Sequence, residues 1–235
     1  VKKSIFGILI MMESLLLAFC SLVSVFYQEG HWDLFLLIAA AAFLIGLICK
    51  VAGEREKDKR LTRADSFLVV TLSWVVFSVI GSIPYIFIAG MDVHSAFFES
   101  ISGFTTTGAT CMMDVDAMPH DLLFWRSLTH WIGGIGIVVF SFALIPSYEM
   151  KSSNVFSAEV TGLGVDKLRP KIGDTARRLL LIYMFLTAVC ALCYWLGPMD
   201  TFDSVCHAMS TIATGGFSTH TASIGYFHST YLEYV

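Results

Sequence analysis

Two short apolar runs constrain this chain more than anything else in it. One is FFESISGFTTTGAT at residues 97–110, and the other is STIATGGF at residues 210–217. Each is too brief to cross a bilayer, and each ends in a Thr-Gly pair that a helix does not favour. Each also lies beside segments long and apolar enough to be membrane helices. Backbone that stops being helical at membrane depth leaves N–H and C=O groups without partners. That is tolerated only where protein buries it or where it lines a water-filled path. The expectation is a pair of re-entrant pore loops whose carbonyls face a permeating cation, with the rest of the chain holding them there.

The surrounding composition agrees. Of 235 residues, 56% are hydrophobic and 14% charged, where a soluble domain carries ~25% charged residues; mean hydropathy is +0.71. A soluble fold is excluded, and the fold class expected is an all-α polytopic membrane protein. Cys20, Cys49, Cys111, Cys190, Cys193 and Cys206 sit mostly in apolar runs. They read as small buried hydrophobes rather than a disulfide framework. Cys190 and Cys193 form a lone CxxC without a second pair or a flanking His, so no metal or redox cofactor is expected. Lys2 and Lys3 precede the first apolar run as they would in a signal peptide, but no small-residue cleavage site follows, and a retained first span is expected.

Residues 1–52 read as a helix pair, with spans at 5–27 and 34–51. Residues 53–65, GEREKDKRLTRAD, form a charged loop that cannot lie in lipid. Residues 66–146 read as a module: a span at 66–89 with Pro84 near its outer end, a loop region at 92–116, and a span at 122–145. A polar connector, 147–178, precedes a second module at 179–235, which opens with a span at 179–196 and a loop region at 201–223. The chain stops where a next helix begins, so this second module reads as truncated.

Lys2, Lys3, Lys50, Arg55, Lys57, Lys59, Arg60, Arg63, Lys151, Lys167, Arg169, Lys171, Arg177 and Arg178 all fall on one side of that arrangement. The positive-inside rule makes this side the cytoplasm, with the N-terminus on it. Arg126 is the one basic residue expected outside. Glu29, Asp33, Asp92, Glu99, Asp114, Asp116, Asp121, Asp200, Asp203 and Glu233 share the outer side. They would form an acidic mouth that concentrates cations. The two loops open alike, MDVHSAFFES and MDTFDSVCHAMS, and Thr107-Gly108 aligns with Thr214-Gly215. Identity beyond that is thin, so the repeat is one of architecture.

The residue types suit a potassium filter. A dehydrated cation needs a cage of oxygens, and backbone carbonyls supply one without a fixed charge that would trap the ion. Gly108, Gly215 and Gly216 permit the backbone angles that bring successive carbonyls to one side. Thr105, Thr106 and Thr107 can add hydroxyl oxygens. The preceding 93–104, as a helix, would be ~18 Å long, near half the hydrocarbon thickness. Its C-terminal end would place partial negative charge toward the membrane centre.

FFESISGFTTTGAT, LLFWRSLTHWIGGIGIVVFSFALIP, DKLRPKIGDTARRLLLIY and STIATGGFSTHTASI occur in that order. With them the chain resembles the membrane subunit of the Trk/Ktr/HKT potassium transporter superfamily, most nearly the bacterial Trk type, over nearly its whole length. The resemblance implies four modules of helix, pore loop and helix in one polypeptide, of which two are present here. It also implies a preceding helix pair, which 5–51 matches. Carried over position by position, it makes Thr105, Thr106, Thr107, Gly108 and Ala109 the first filter, and Ile212, Ala213, Thr214, Gly215 and Gly216 the second. It implies potassium uptake across the cytoplasmic membrane, potassium as permeant ligand at those residues, a cytosolic nucleotide-binding regulatory subunit, and a homodimer. Nucleic acid is not among the implied partners. Two loops cannot ring an ion, so the chain is expected to be the N-terminal half of a longer protein, or else two copies join. The alternative is a non-conducting assembly half. An enzyme would need paired carboxylates, HExxH or a Ser/Lys dyad at membrane depth, and none is present.

Lesser expectations follow. Gly133, Gly134 and Gly136 let helices approach closely. Arg126 pairs with an acid at the pore-loop base. Glu13, ionisable within a span, pairs with a neighbour or snorkels. His94, His207 and His220 are interfacial, and Trp32, Trp125 and Trp195 are interface anchors.

Overall fold

The computed structural model describes residues 2–54, 63–144 and 172–234, with side chains at 3–54, 67–136 and 177–234. The basic loop, apart from its ends, and most of the 147–178 connector lie outside the described residues. The described chain is helical with re-entrant segments, and it contains no strand.

Helices α1 (Lys2–Tyr27) and α2 (Trp32–Glu54) form an antiparallel hairpin. Its faces meet through Gly7 and Gly46, each placed so that a Cβ would run into the backbone of the other helix, a small-residue approach suited to lipid. Helix α3 (Arg63–Phe87) carries Pro84 in its last turn. Helix α4 (Val93–Phe104) is short, at 12 residues. Helix α5 (His120–Leu144) follows, then α6 (Ile172–Trp195), a second 12-residue helix α7 (Thr201–Ile212), a 3-10 turn at Ser223–Phe227, and α8 (Thr230–Tyr234). Helices α1, α2, α3 and α6 are long and apolar enough to cross a membrane, and α5 is of similar length at 25 residues. Hydroxyls along the spans bond to their own helix: Ser14 donates to the Met11 carbonyl, Ser73 to Val69, Ser78 to Trp74 and Ser82 to Val79. Polar groups in lipid require such internal partners.

The short helices are capped as their sequences ask. Asp92 accepts from the amides of His94 and Ser95 at 3.1 Å, and Asp200 accepts from Asp203 at 2.7 Å. An aspartate at this position satisfies otherwise orphaned amides and favours the positive end of the helix. Helix α4 packs on α3, α7 packs on α6, and α5 lies between the two short helices while also touching α1. The core between them holds Leu17, Cys20, Phe35, Tyr85, Phe104, Trp125 and Leu128.

Three side chains differ from their expected places. Trp125 is fully buried, its indole donating to the Gly81 carbonyl at 3.0 Å, so it packs the core; Trp32 and Trp195 are half exposed, as interface anchors would be. His207 is buried rather than interfacial. Glu13 neither snorkels nor pairs: it is 2% exposed, and neither oxygen has a partner among the described residues. The turn of α1 that bears it faces inward, so its stem cannot reach the interface.

Candidate functional site

At the C-terminus of α4 the main chain leaves the helix abruptly. The amide of Thr105 still bonds Ile101, that of Thr106 turns back to Gly103, and that of Thr107 reaches the Ser102 carbonyl at 2.9 Å. Thr106 takes φ +55 and Gly108 φ +76. After α7 the pattern repeats. Ala213 bonds Met209, Thr214 bonds Thr211, and Gly215 bonds Ser210 at 2.9 Å, with φ +56 at Thr214 and +100 at Gly216. A β-branched residue in the left-handed region is a strained choice, and strain of this kind gathers where function needs a particular backbone. Here it occurs twice, at equivalent points.

These equivalences correct the sequence register by one residue. One constant spacing relates Asp92 to Asp200, Thr106 to Thr214 and Gly108 to Gly216. Thr107 therefore corresponds to Gly215, and Ala109 to Phe217. Ile212, expected as the first residue of the second filter, is the last residue of α7. The Thr-Gly identity had drawn the two loops together one position out of step with their helices.

The two loops touch. A Cβ on Gly108 would run into the Gly215 carbonyl oxygen. Among the described residues, no donor reaches the carbonyls of Thr105, Thr106, Thr107 or Gly108, nor those of Ala213, Thr214, Gly215 or Gly216. Eight acceptors on two adjoining strands are thus left for something else. Hydroxyls brace the strands: Ser102 donates to the Ala109 carbonyl at 2.6 Å, Ser210 Oγ accepts from the Gly216 amide at 3.0 Å, and the Thr105 and Thr107 hydroxyls meet at 2.8 Å.

Behind the strands lies a buried polar frame. Glu99, fully buried, accepts from the Thr110 hydroxyl and the Cys111 amide, each at 2.9 Å. Arg126 on α5 completes the pair expected of it, its Nε donating to Glu99 at 2.7 Å. In the second loop His207 stands where Glu99 stands in the first, and it meets the Ser218 hydroxyl at 2.9 Å. Asp203 accepts from Thr219 at 2.7 Å, and His220 lies between Asp203 and Asp116, bridging the exits of both loops. The His220 hydrogen bond, followed by that from Thr221, holds the Asp116 carboxyl down at about 2. Gly133 of α5 approaches the Phe104 carbonyl and Gly134 approaches Ala213. These glycines act in packing, and they admit the ends of both short helices to one face of α5.

Two acids expected at an open mouth are interior instead: Glu99 is in the core and Asp121 is buried against His31. Asp92 and Asp200 are exposed and also cap helices. Ser102, Ser210 and Phe217 escaped notice in the sequence. With the register corrected, a serine four residues before each strained threonine would have marked the first two.

Comparison with known proteins extends the picture. The family model for TrkH, a cation transport protein, matches residues 37–235. The Trk system potassium uptake protein TrkH of Salmonella typhimurium is 41% identical over 228 residues, 96% of this chain and 47% of its own length, and that of Escherichia coli gives the same figures. TrkG of Escherichia coli is 35% identical over 232 residues, covering 97% of this chain and 48% of its own length. The crystal structure of the potassium transporter TrkH from Vibrio parahaemolyticus superimposes with a TM-score of 0.84 at 37% identity, covering 99% of this chain and 47% of that one. The chain thus spans about half the length of the curated relatives it matches. With a family model matched over most of its residues and relatives aligned almost end to end, the chain belongs to the TrkH family of cation transport proteins.

Proposed function

We propose that this chain forms part of a potassium uptake pathway, with 105–109 and 213–217 as filter strands. The observation that carries this reading is the set of eight unclaimed carbonyls on two touching, strained strands at the ends of short helices. The names of its relatives, potassium uptake proteins and a potassium transporter, point the same way. Carbonyl oxygens replace an ion's hydration shell without binding it too tightly to leave. The C-terminal ends of α4 and α7 add partial negative charge beside them. Two strands make part of a ring. Further oxygens would come from the portion of the relatives' length that this chain does not span, or from a second copy.

The same reading places the chain in the cytoplasmic membrane with its N-terminus inside and its loops entering from outside. A cytosolic nucleotide-binding subunit and a homodimeric assembly are the partners proposed. The chain is read as a transporter component and not as an enzyme. The test is Gly108→Asp or Gly215→Asp in the full-length protein, expressed in cells lacking other potassium uptake. Each variant should insert normally yet fail to support growth on low potassium. Growth equal to the parent would remove the filter assignment.

A further inference from the structure

We infer that Arg126 fixes the two pore loops relative to each other and so sets the ion selectivity of the pathway. This rests on reading the loops as a filter. Arg126 is 2% exposed and belongs to neither loop. Its Nε donates to Glu99 at 2.7 Å, and Glu99 in turn holds the Thr110 hydroxyl and the Cys111 amide, just past the first filter strand. A second nitrogen of the same guanidinium donates to the Ser218 carbonyl at 2.7 Å, just past the second strand. Its central carbon sits 3.6 Å over the Phe217 ring, the last residue of that strand. One planar group therefore grips corresponding points of both loops.

Its neighbour one turn along α5 reinforces the grip. His130 stacks on Phe217 at 3.9 Å, and two groups so near one centroid occupy opposite faces of the ring. The same imidazole meets Ser210 Oγ at 3.0 Å, and Ser210 accepts from the Gly216 amide. A Cβ on Gly215 would strike that ring. From α5, then, the second strand is held on its side chain, its following carbonyl and its flanking serine.

Stability alone does not account for this arrangement. A buried ion pair adds little compared with apolar groups of the same shape, because desolvation offsets the attraction. What the guanidinium supplies is direction, since its donors lie in a rigid planar fork that an ammonium cannot copy. A carbonyl cage discriminates between potassium and sodium through its size and the field of its oxygens. Either property changes when one strand slides against the other. Gly108 and Gly215 touch, so a displacement of either loop is felt directly at the cage.

The test uses full-length protein in proteoliposomes, with the potassium-to-sodium flux ratio as readout. The ratio does not depend on how much protein inserts, so a loss of folding alone leaves it unmoved. Arg126→Lys keeps the charge and loses the fork, and the ratio is expected to fall on the order of tenfold, as when a group that orients an ion's ligands is altered. Glu99→Asp shortens the same strut by one methylene and should lower the ratio in the same direction. The double variant should be no worse than the poorer single one, because both break one connection. Gly108→Ser serves as a control on the filter itself. If it alters the ratio while Arg126→Lys and Glu99→Asp leave it at the parental value, the strut is overturned and the filter stands. If the parent protein shows no preference for potassium, the filter reading fails with it.

Discussion

Thr106 and Thr214 show what the site demands of single residues. Each holds a branched side chain at a φ near +55°, where only glycine is at ease. The glycines two positions on are not equivalent, although both have positive φ. Alanine at Gly216 would meet open space and suffer only backbone strain, on the order of 1–3 kcal/mol. Alanine at Gly108 would add a collision with the Gly215 carbonyl. Thermal unfolding in detergent should therefore show Gly108→Ala as distinctly the more damaging, and equal losses would contradict the contact between the loops. Asp116 permits a prediction about pH. Its carboxyl is lowered from an ordinary 3.8 to about 2 by the His220 hydrogen bond. A depressed carboxylate contributes its stabilisation fully above the unfolded value and loses it as pH falls through the folded one. The difference in melting temperature between parent and Asp116→Asn should hold steady down to about pH 4 and close only as pH drops through the range from 3.8 to about 2. A difference that closed between neutrality and pH 5 would assign the contact to another group.

At the scale of elements, the N-terminal hairpin is fastened to the first pore module by a crossed clamp. Glu29 meets His120 at 2.7 Å and His31 meets Asp121 at 3.1 Å, so each side of the joint contributes one carboxylate and one imidazole. The two halves differ in burial. Glu29 and His120 are partly exposed, and such pairs are worth ~0–1 kcal/mol. Asp121 is fully buried while His31 is about a third exposed, so loss of His31 leaves a buried carboxyl oxygen without its hydrogen-bond partner, which costs ~1–3 kcal/mol. His31→Ala should thus lower the melting temperature well beyond His120→Ala, and the reverse order would show that the buried half does not carry the joint. None of this clamp was legible in the sequence, because it joins turns far apart in the chain. What was legible was local. The bounds of α4 match the expected 93–104 because Asp92 caps one end and the Thr-Gly break stops the other. Helix α6 starts at Ile172, before the expected 179, because a helix can run on through the polar IGDTARR, where hydropathy gives no signal.

For the whole molecule, hydropathy and the basic residues predicted an arrangement that the contacts can be set against. The turn after α1, the start of α5 and the exits of both loops meet at one end, through Glu29–His120, Val115–Thr221 and Asp116–His220. The start of α1 and the end of α2 meet at the other, where Gly53 lies against Ser4. That Arg126 finds an acid at the pore-loop base was legible in the sequence, whereas the partner of Asp121 was not, since tertiary packing brings it to His31, 90 positions away in the chain. We propose an outer face for the loop end from charge: Lys2, Lys3 and Lys50 lie at the opposite end of the N-terminal hairpin, and basic flanks of membrane helices favour the cytoplasm. Met113, 93% exposed at the loop end, offers a direct reading of this. In a Cys111→Ser background, Met113→Cys should react with a membrane-impermeant maleimide added to intact cells. Lys50→Cys, near the far end of α2, should react only after the membrane is permeabilised. Labelling with the opposite preference would invert the molecule in the bilayer and turn the filter strands toward the cytosol, leaving the cage chemistry intact and the direction of entry wrong.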